Sequence, residues 1–256
     1  ARAVEGTGFR CGFKLQYRQL DTFIHPAYQD RMDLQYVKRF SETRLSGDEF
    51  RALKQAMQDA GFETVCTPFD EASVDVIEEH GFGVLKIASA SVTDWPLLER
   101  AARSALPMIV STAAATLEDL DRVVSFLTHR GKEFALMHCV AKYPTADADL
   151  QLNQIRLLRE RYDGVEVGFS THEAPDALDP AKLAVAQGAT ILERHVGVPT
   201  DEWKLNGYSS TPQQVRAWMD AVRTALDMCG DADGRPATDE AEASTLRALR
   251  RGVFVK

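Results

Sequence analysis

Short apolar, β-rich runs alternate along this chain with stretches whose apolar residues recur at helical spacing. The strand candidates are 9–16, 62–67, 83–89, 108–111, 134–139, 165–169 and 189–193. Between them the helices carry start and stop signals. Thr116 followed by Asp119 reads as a capping box, with Leu117, Leu120, Val123, Val124 and Leu127 on one face and a stop at Gly131. Thr211-Pro212 opens a second helix, whose stripe is Val215, Trp218, Met219, Val222 and Leu226, ending before Gly230. Strictly alternating strands and helices build a parallel sheet, and a chain of 256 residues has the length to curl it into one barrel. The expected fold is therefore α/β, a TIM-type (β/α)8 barrel.

The strand count reaches seven where a closed barrel takes about eight. The segment 1–8 reads as the tail of a helix, so the first strand–helix unit is expected to be missing from this chain. At the other end 238–251 reads as a charged helix, and 252–256 starts a β-like run. The expected organisation is a catalytic barrel over 1–236 and a C-terminal helix and linker over 237–256.

Composition narrows the class. A hydrophobic share of 45% with 27% charged residues is that of an ordinary folded domain. No apolar stretch approaches the roughly 20 residues needed to cross a bilayer, and no signal peptide opens the chain, so neither membrane nor export is expected. A net charge of −8 argues against nucleic acid as a partner, because phosphate contacts need a basic face. Four cysteines fit no zinc spacing. Cys11, Cys66 and Cys139 lie in apolar runs and read as free thiols of a reducing cytoplasm.

Barrel chemistry collects at the carboxyl ends of strands. Those ends supply Lys14 and Gln16, which share a face, then Thr67, Lys86 with Ser89, and Ser111. Further along come His138 to Lys142 with Tyr143, then Ser170 with His172, and Glu193 with His195. A lysine inside a strand calls for an anion, so Lys14, Lys86 and Lys142 together with Ser89, Ser111 and Ser170 suggest a nest for phosphate or carboxylate. His172 and His195 end successive strands and suggest a shared divalent metal with open positions. His138 and Cys139 point to opposite faces and cannot form a dyad. His25, His80 and His129 fall in loops or at helix ends and are expected to be solvated.

In order, the motifs Lys14-Leu-Gln16, Thr67-Pro-Phe-Asp70, Lys86-Ile-Ala-Ser89, Val110-Ser-Thr112, His138-Cys-Val-Ala-Lys-Tyr-Pro144, Gly168-Phe-Ser-Thr-His172 and Glu193-Arg-His195 resemble the sialic acid synthase family. The stretch Lys204-Leu-Asn-Gly-Tyr-Ser209 is similar to its spore-coat polysaccharide protein E branch. The resemblance implies condensation of phosphoenolpyruvate with an N-acetylmannosamine-like aldose to give a nonulosonic acid for surface polysaccharide. His172 and His195 would hold the metal, usually Mn2+ with Mg2+ as the other candidate. Lys14, Lys86, Ser89, Ser111 and Ser170 would hold the phosphate and carboxylate. Gln16, Thr67, Tyr143 and Asn206 would line the substrate site, Glu193 would orient the metal shell, and a homodimer is implied.

The family's usual first-strand glutamate and its C-terminal antifreeze-like domain are expected to be missing from this chain. Ser91, Ala141, Thr171, Ala113-Ala114 and Asn206 replace common family residues, most of them on the sugar side. Two other readings stay open: an aldolase-type lyase forming a Schiff base on Lys86 or Lys142, and an inactive barrel that binds a sugar phosphate.

Overall fold

A computed structural model of the chain describes residues 1–231 and 234–252. The elements run β1 (Gly12–Tyr17), α1 (Leu20–Phe23), α2 (Gln35–Glu42), α3 (Gly47–Asp59), β2 (Glu63–Pro68), α4 (Glu71–Glu79), β3 (Val84–Ile87), α5 (Trp95–Arg103) and β4 (Met108–Ser111). They continue with α6 (Leu117–His129), β5 (Phe134–Cys139), α7 (Asn153–Arg161), β6 (Glu166–Thr171), α8 (Asp179–Ala186), β7 (Leu192–Arg194), α9 (Pro212–Cys229) and α10 (Glu240–Leu249). The seven strands pair in chain order, every neighbour parallel. This is the barrel-type α/β fold expected from the alternation, with β1 and β7 at the two edges of the described sheet. No helix among the described residues is long and apolar enough to cross a membrane.

The elements form for the reasons the sequence carries. Central strands are covered on both faces, so β5 is buried along nearly its whole length rather than alternating. Leu85, Ile87, Val110, Leu136 and Phe169 from the sheet pack with Val74, Leu97, Val123 and Ile155 from the helices in one core. The Thr116 hydroxyl accepts the Asp119 N–H at 3.1 Å and the Asp119 carboxylate accepts the Thr116 N–H at 3.1 Å, closing the box that starts α6. Thr211 and Gln214 start α9 in the same manner. The expected stripes hold in their middles only: Leu117 and Leu226 are exposed, while Ala221 and Ala225 join Val215, Trp218 and Val222 in the buried face of α9. Ala225, Val222 and Trp218 of α9 pack there against Ala181 and Val185 of α8.

Two expectations need correction, and a third falls outside what the structure describes. Residues 1–8 form turns rather than a helix tail, because Gly6 at φ 70° reverses the chain. The Glu5 and Thr7 carbonyls then accept hydrogen bonds from Arg216 and Arg223 of α9. The run over 252–256 lies outside the described residues beyond Gly252. His80 is buried rather than solvated: its Nδ1 lies 2.8 Å from the Tyr17 hydroxyl and its Nε2 lies 3.0 Å from an Arg51 guanidinium nitrogen. Arg51 can only donate, so Nε2 accepts, Nδ1–H donates to Tyr17, and the ring is neutral. Burial first, and then the Arg51 charge, push its pKa below the ordinary histidine value.

One glycine sets the spacing of the strands that matter most. A Cβ on Gly168 of β6 would stand 2.4 Å from the Ile191 carbonyl oxygen and 2.4 Å from the Met137 sulfur. Only a glycine lets the chain entering β7 come this close to β6. Gly168→Ala is therefore expected to destabilise the fold by about 2 kcal/mol or more through overpacking, read as a lowered Tm. A melt unchanged from the parent would show that β7 can shift freely. A folded-state pKa that is depressed gives stability that is complete above the unfolded value of about 6.5 and is lost as pH falls through the folded one. His80→Gln should accordingly flatten the decline in Tm below about pH 6.5, and an unaltered slope would assign that decline to other groups.

Candidate active site at one carboxylate

Glu193, in the middle of β7, gathers side chains from across the sheet. Lys86 of β3 donates to both of its oxygens at 3.1 Å, Lys14 of β1 reaches one at 3.2 Å, and the Ser170 hydroxyl of β6 donates at 2.8 Å. Strand alternation aims all four side chains to the same face. The ion pair between Lys14 and Glu193 joins the first strand to the last, so the sheet curls far enough for its edges to meet through side chains. Lys86 is 1% exposed, and an ammonium so enclosed calls for an anion. Burial by itself pushes the Glu193 carboxyl up, but Lys86, Lys14 and Ser170 outweigh it and hold the group well below the usual carboxylate range. Burial lowers the Lys86 ammonium, with Glu193 acting against it. Two ammonium groups face one carboxylate, and the nest keeps a net positive charge.

Beside this nest the His172 and His195 rings lie 5.3 Å apart, tilted by 44°. Two nitrogens bound at about 2.1 Å to one ion would put their ring centres at roughly that separation. His172 Nδ1 lies 3.1 Å from the Val140 carbonyl oxygen and donates to it, which leaves Nε2 with a free lone pair. Burial lowers the pKa of both rings, that of His195 to about 4 with help from His172 and Lys14. Both are neutral at pH 7. Among the described residues no third His, Cys, Asp or Glu completes a metal cluster.

Other expected residues sort into those the fold gathers and those it does not. Tyr143 stands 4.4 Å from the His172 ring and is 54% exposed, forming the outer wall. Ser89 accepts the Ala113 N–H at 3.1 Å and borders the Cys139 thiol, as Ser170 does. Burial pushes that thiol up, so Cys139 lines the site as a thiol rather than a nucleophile. Thr67 and Ser111 are buried at the ends of β2 and β4, the Thr67 hydroxyl without a partner among the described residues. Gln16 is exposed and accepts from Arg18 at 3.1 Å. Asn206 is exposed and uses its side-chain oxygen to accept the Tyr208 N–H at 3.1 Å, shaping a turn. Lys142 leaves the nest altogether: its side chain is 58% exposed and paired with Asp149, because it lies beyond the end of β5. His138 bonds the Leu150 carbonyl at 2.7 Å and stacks on Phe169, away from Cys139's face.

Sequence reasoning missed Tyr208. Its ring lies 5.1 Å from His195, 5.9 Å from His172 and 5.2 Å from Tyr143. It sits in a loop with no periodicity, and its signals were the Asn206-Gly207 turn before it and the 204–209 stretch that carries the branch resemblance, neither of which aims its ring at the histidines.

Residues 8–234 match the NeuB family. The chain is 32% identical over 179 residues to an N-acetylneuraminate-9-phosphate synthase of Drosophila melanogaster, covering 69% of this chain and 48% of that one. It is 28% identical over 221 residues to an N,N'-diacetyllegionaminic acid synthase of Legionella pneumophila, covering 83% and 60%. Among solved structures, a Chromobacterium violaceum protein described as a spore coat polysaccharide biosynthesis protein E superposes with a TM-score of 0.96. It is 55% identical, covering 99% of this chain and 75% of the other. The chain thus spans about half to two thirds of the length of the curated relatives it matches.

Removing the shared carboxylate leaves Lys86 buried beside Lys14 with no counter-charge. Glu193→Gln is expected to cost about 3–5 kcal/mol of stability, and denaturant melts measure it. A loss below about 1 kcal/mol would mean that solvent, not Glu193, satisfies Lys86.

Proposed function

Because the chain belongs to the NeuB family, we propose that its barrel forms a nonulosonic acid by condensing phosphoenolpyruvate with an open-chain, N-acetylmannosamine-like aldose. One observation carries this reading: two lysines and a serine converge on a single carboxylate next to a pair of neutral imidazoles. A net positive nest suits a small dianion, and neutral ring nitrogens suit a divalent cation. The names of the relatives support the product class, since they are synthases of N-acetylneuraminate 9-phosphate, diacetyllegionaminic acid and pseudaminic acid.

In this reading Lys14 and Lys86 bind the phosphate and carboxylate of phosphoenolpyruvate, with Ser89, Ser111 and Ser170 as neutral donors. Bringing in that anion releases the ammonium groups from their exclusive hold on Glu193. The new bond joins the methylene carbon of phosphoenolpyruvate to the aldehyde carbon, and the oxygen of water adds to the carbon that carries the phosphate. One proton of that water ends on the former aldehyde oxygen, and the other leaves with the phosphate as its carbon–oxygen bond breaks to give the ketone. Lys86 and Lys14 stabilise the charge that gathers on the departing phosphate. The two imidazoles fit a divalent ion, proposed to be Mn2+ with Mg2+ as the other candidate, and such an ion supplies Lewis-acid polarisation of the aldehyde oxygen. Tyr143 and Tyr208 form the apolar wall against which the sugar lies, and Gln16 and Asn206 border it. Residues 1–236 carry this site, and a homodimer is part of the proposal.

The aldolase-type reading retains one favourable observation, the buried and pKa-lowered Lys86. Its nitrogen, however, already holds both oxygens of Glu193, and a Schiff base would sacrifice that pair. Lys142 is exposed and ion-paired, so it is not a candidate for that role.

Phosphate release by the full-length protein, given phosphoenolpyruvate, Mn2+ and a panel of N-acetylated hexosamines, tests the proposal. Turnover with at least one aldose, abolished by a chelator, is expected. Borohydride trapping by pyruvate with indifference to chelator would replace it with the lyase reading. For the turning-over aldose, Tyr208→Ala should raise KM about tenfold while leaving KM for phosphoenolpyruvate within about twofold. Equal changes in both would remove Tyr208 from the sugar side.

A further inference from the structure

The strand alternation that aims His172 and His195 into the barrel aims the residues beside them outward, toward the helices. There Glu173 follows His172, and Arg194 precedes His195. Both are almost wholly buried, with side chains 1% and 2% exposed, and they face each other with an Arg194 nitrogen 3.8 Å from a Glu173 oxygen. That is an ion pair without a hydrogen bond. Among the described residues, neither oxygen of Glu173, and neither Nε nor Nη1 of Arg194, has a side-chain hydrogen-bond partner. The hydroxyls of Thr171 and Ser210 and the Trp218 N–H are buried and, among the described residues, unpartnered as well. Thr171 is the register partner of Arg194, and the Arg194 guanidinium lies 5.3 Å over the Trp218 ring. Backbone bonds tie the same segments to the imidazoles' own carbonyls: Thr145 N–H donates to His172 and Ser210 N–H donates to His195.

Such an arrangement is a poor way to stabilise a fold. Desolvating two charges is expensive, and apolar side chains of similar volume would fill the space at least as well. What the pair does supply is a link between two particular points. It joins the residue after one imidazole to the residue before the other, across the step from β6 to β7 that Gly168 already holds close.

We infer that Glu173 and Arg194 are positioning residues for the imidazole pair, fixing the separation at which His172 and His195 share one divalent cation. The inference rests on the metal reading proposed above and adds to it the device that holds the two ligands in place. Neither residue touches the cation. Each acts through the histidine bonded to it in the chain, as an outer layer commonly does around metal ligands.

The test compares Mn2+ affinity, read from the electron paramagnetic resonance signal of free Mn2+, with the Tm of the metal-free protein. The full-length protein is used throughout. Glu173→Gln, which keeps the shape and removes the charge, should weaken Mn2+ binding about tenfold. The double variant Glu173→Met with Arg194→Met should melt no lower than the parent and still bind Mn2+ about tenfold more weakly. Affinity lost while stability is kept is a result that a merely structural pair cannot give. Mn2+ affinity within about twofold of the parent in a folded Glu173→Gln protein would overturn the inference, whether or not the double variant folds. A parent protein that binds no Mn2+ would overturn the metal reading and this inference together, whereas binding indifferent to the pair would overturn this inference alone.

Discussion

A buried ammonium must have an anion, and in this molecule that one requirement organises the sheet. Lys86 is enclosed at the end of β3, and the carboxylate that neutralises it comes from β7, on the far side of the barrel. Lys14 then brings β1 to the same carboxylate and Ser170 brings β6. Four strands, from the first to the seventh, are thereby held to one point. The hydrophobic core alone would permit many curvatures, because apolar burial has no direction. A charge with hydrogen-bonding geometry permits few.

The strand period does the rest. Over 170–173 and 193–195 successive side chains alternate between two environments, Ser170, His172, Glu193 and His195 inward and Thr171, Glu173 and Arg194 outward. The inner set carries charge and lone pairs that a substrate could use. The outer set carries a charge pair that no substrate reaches. A single slip in register would exchange the two sets, so the close fit of Gly168 against Ile191 protects the chemistry as much as the packing.

The fold was legible because its signals are local. Alternating strand and helix periods, the Thr116 and Thr211 caps and the terminal glycines each act within a few residues. Lys14, Lys86, Ser170, His172 and His195 were legible for a related reason: polar groups at the ends of apolar strands need a shared purpose. Glu193 was legible as a member of the site, but its attachment was not. Sequence alternation set it beside His195, whereas the lysines hold it in the fold. Lys142 misled because its strand ends three residues earlier, at Cys139, and the chain then turns outward. His80 misled because burial at a helix end depends on Tyr17 and Arg51, which are 63 and 29 residues away. Tyr208 and the Glu173–Arg194 pair depend on how a loop and two strand backs fold together, and no periodicity announces that.

The two halves of the site also act on each other. The ammonium groups that would attract an anionic substrate stand near imidazoles that must stay unprotonated to offer lone pairs. Burial, the neighbouring ring and Lys14 all push the His195 pKa in the same direction, down to about 4. Glu193 opposes them, yet its charge is already engaged by Lys86 and Lys14. The nest therefore creates the positive field a dianion would need, and its Lys14 adds to the burial that keeps the rings neutral. Were Glu193 free, its full charge would favour imidazolium and would compete with an incoming anion for the lysines. Held between them, it does neither strongly. Burial sets the protonation state on which the proposed chemistry depends, and Lys14, one of the contacts that curve the sheet, adds to it.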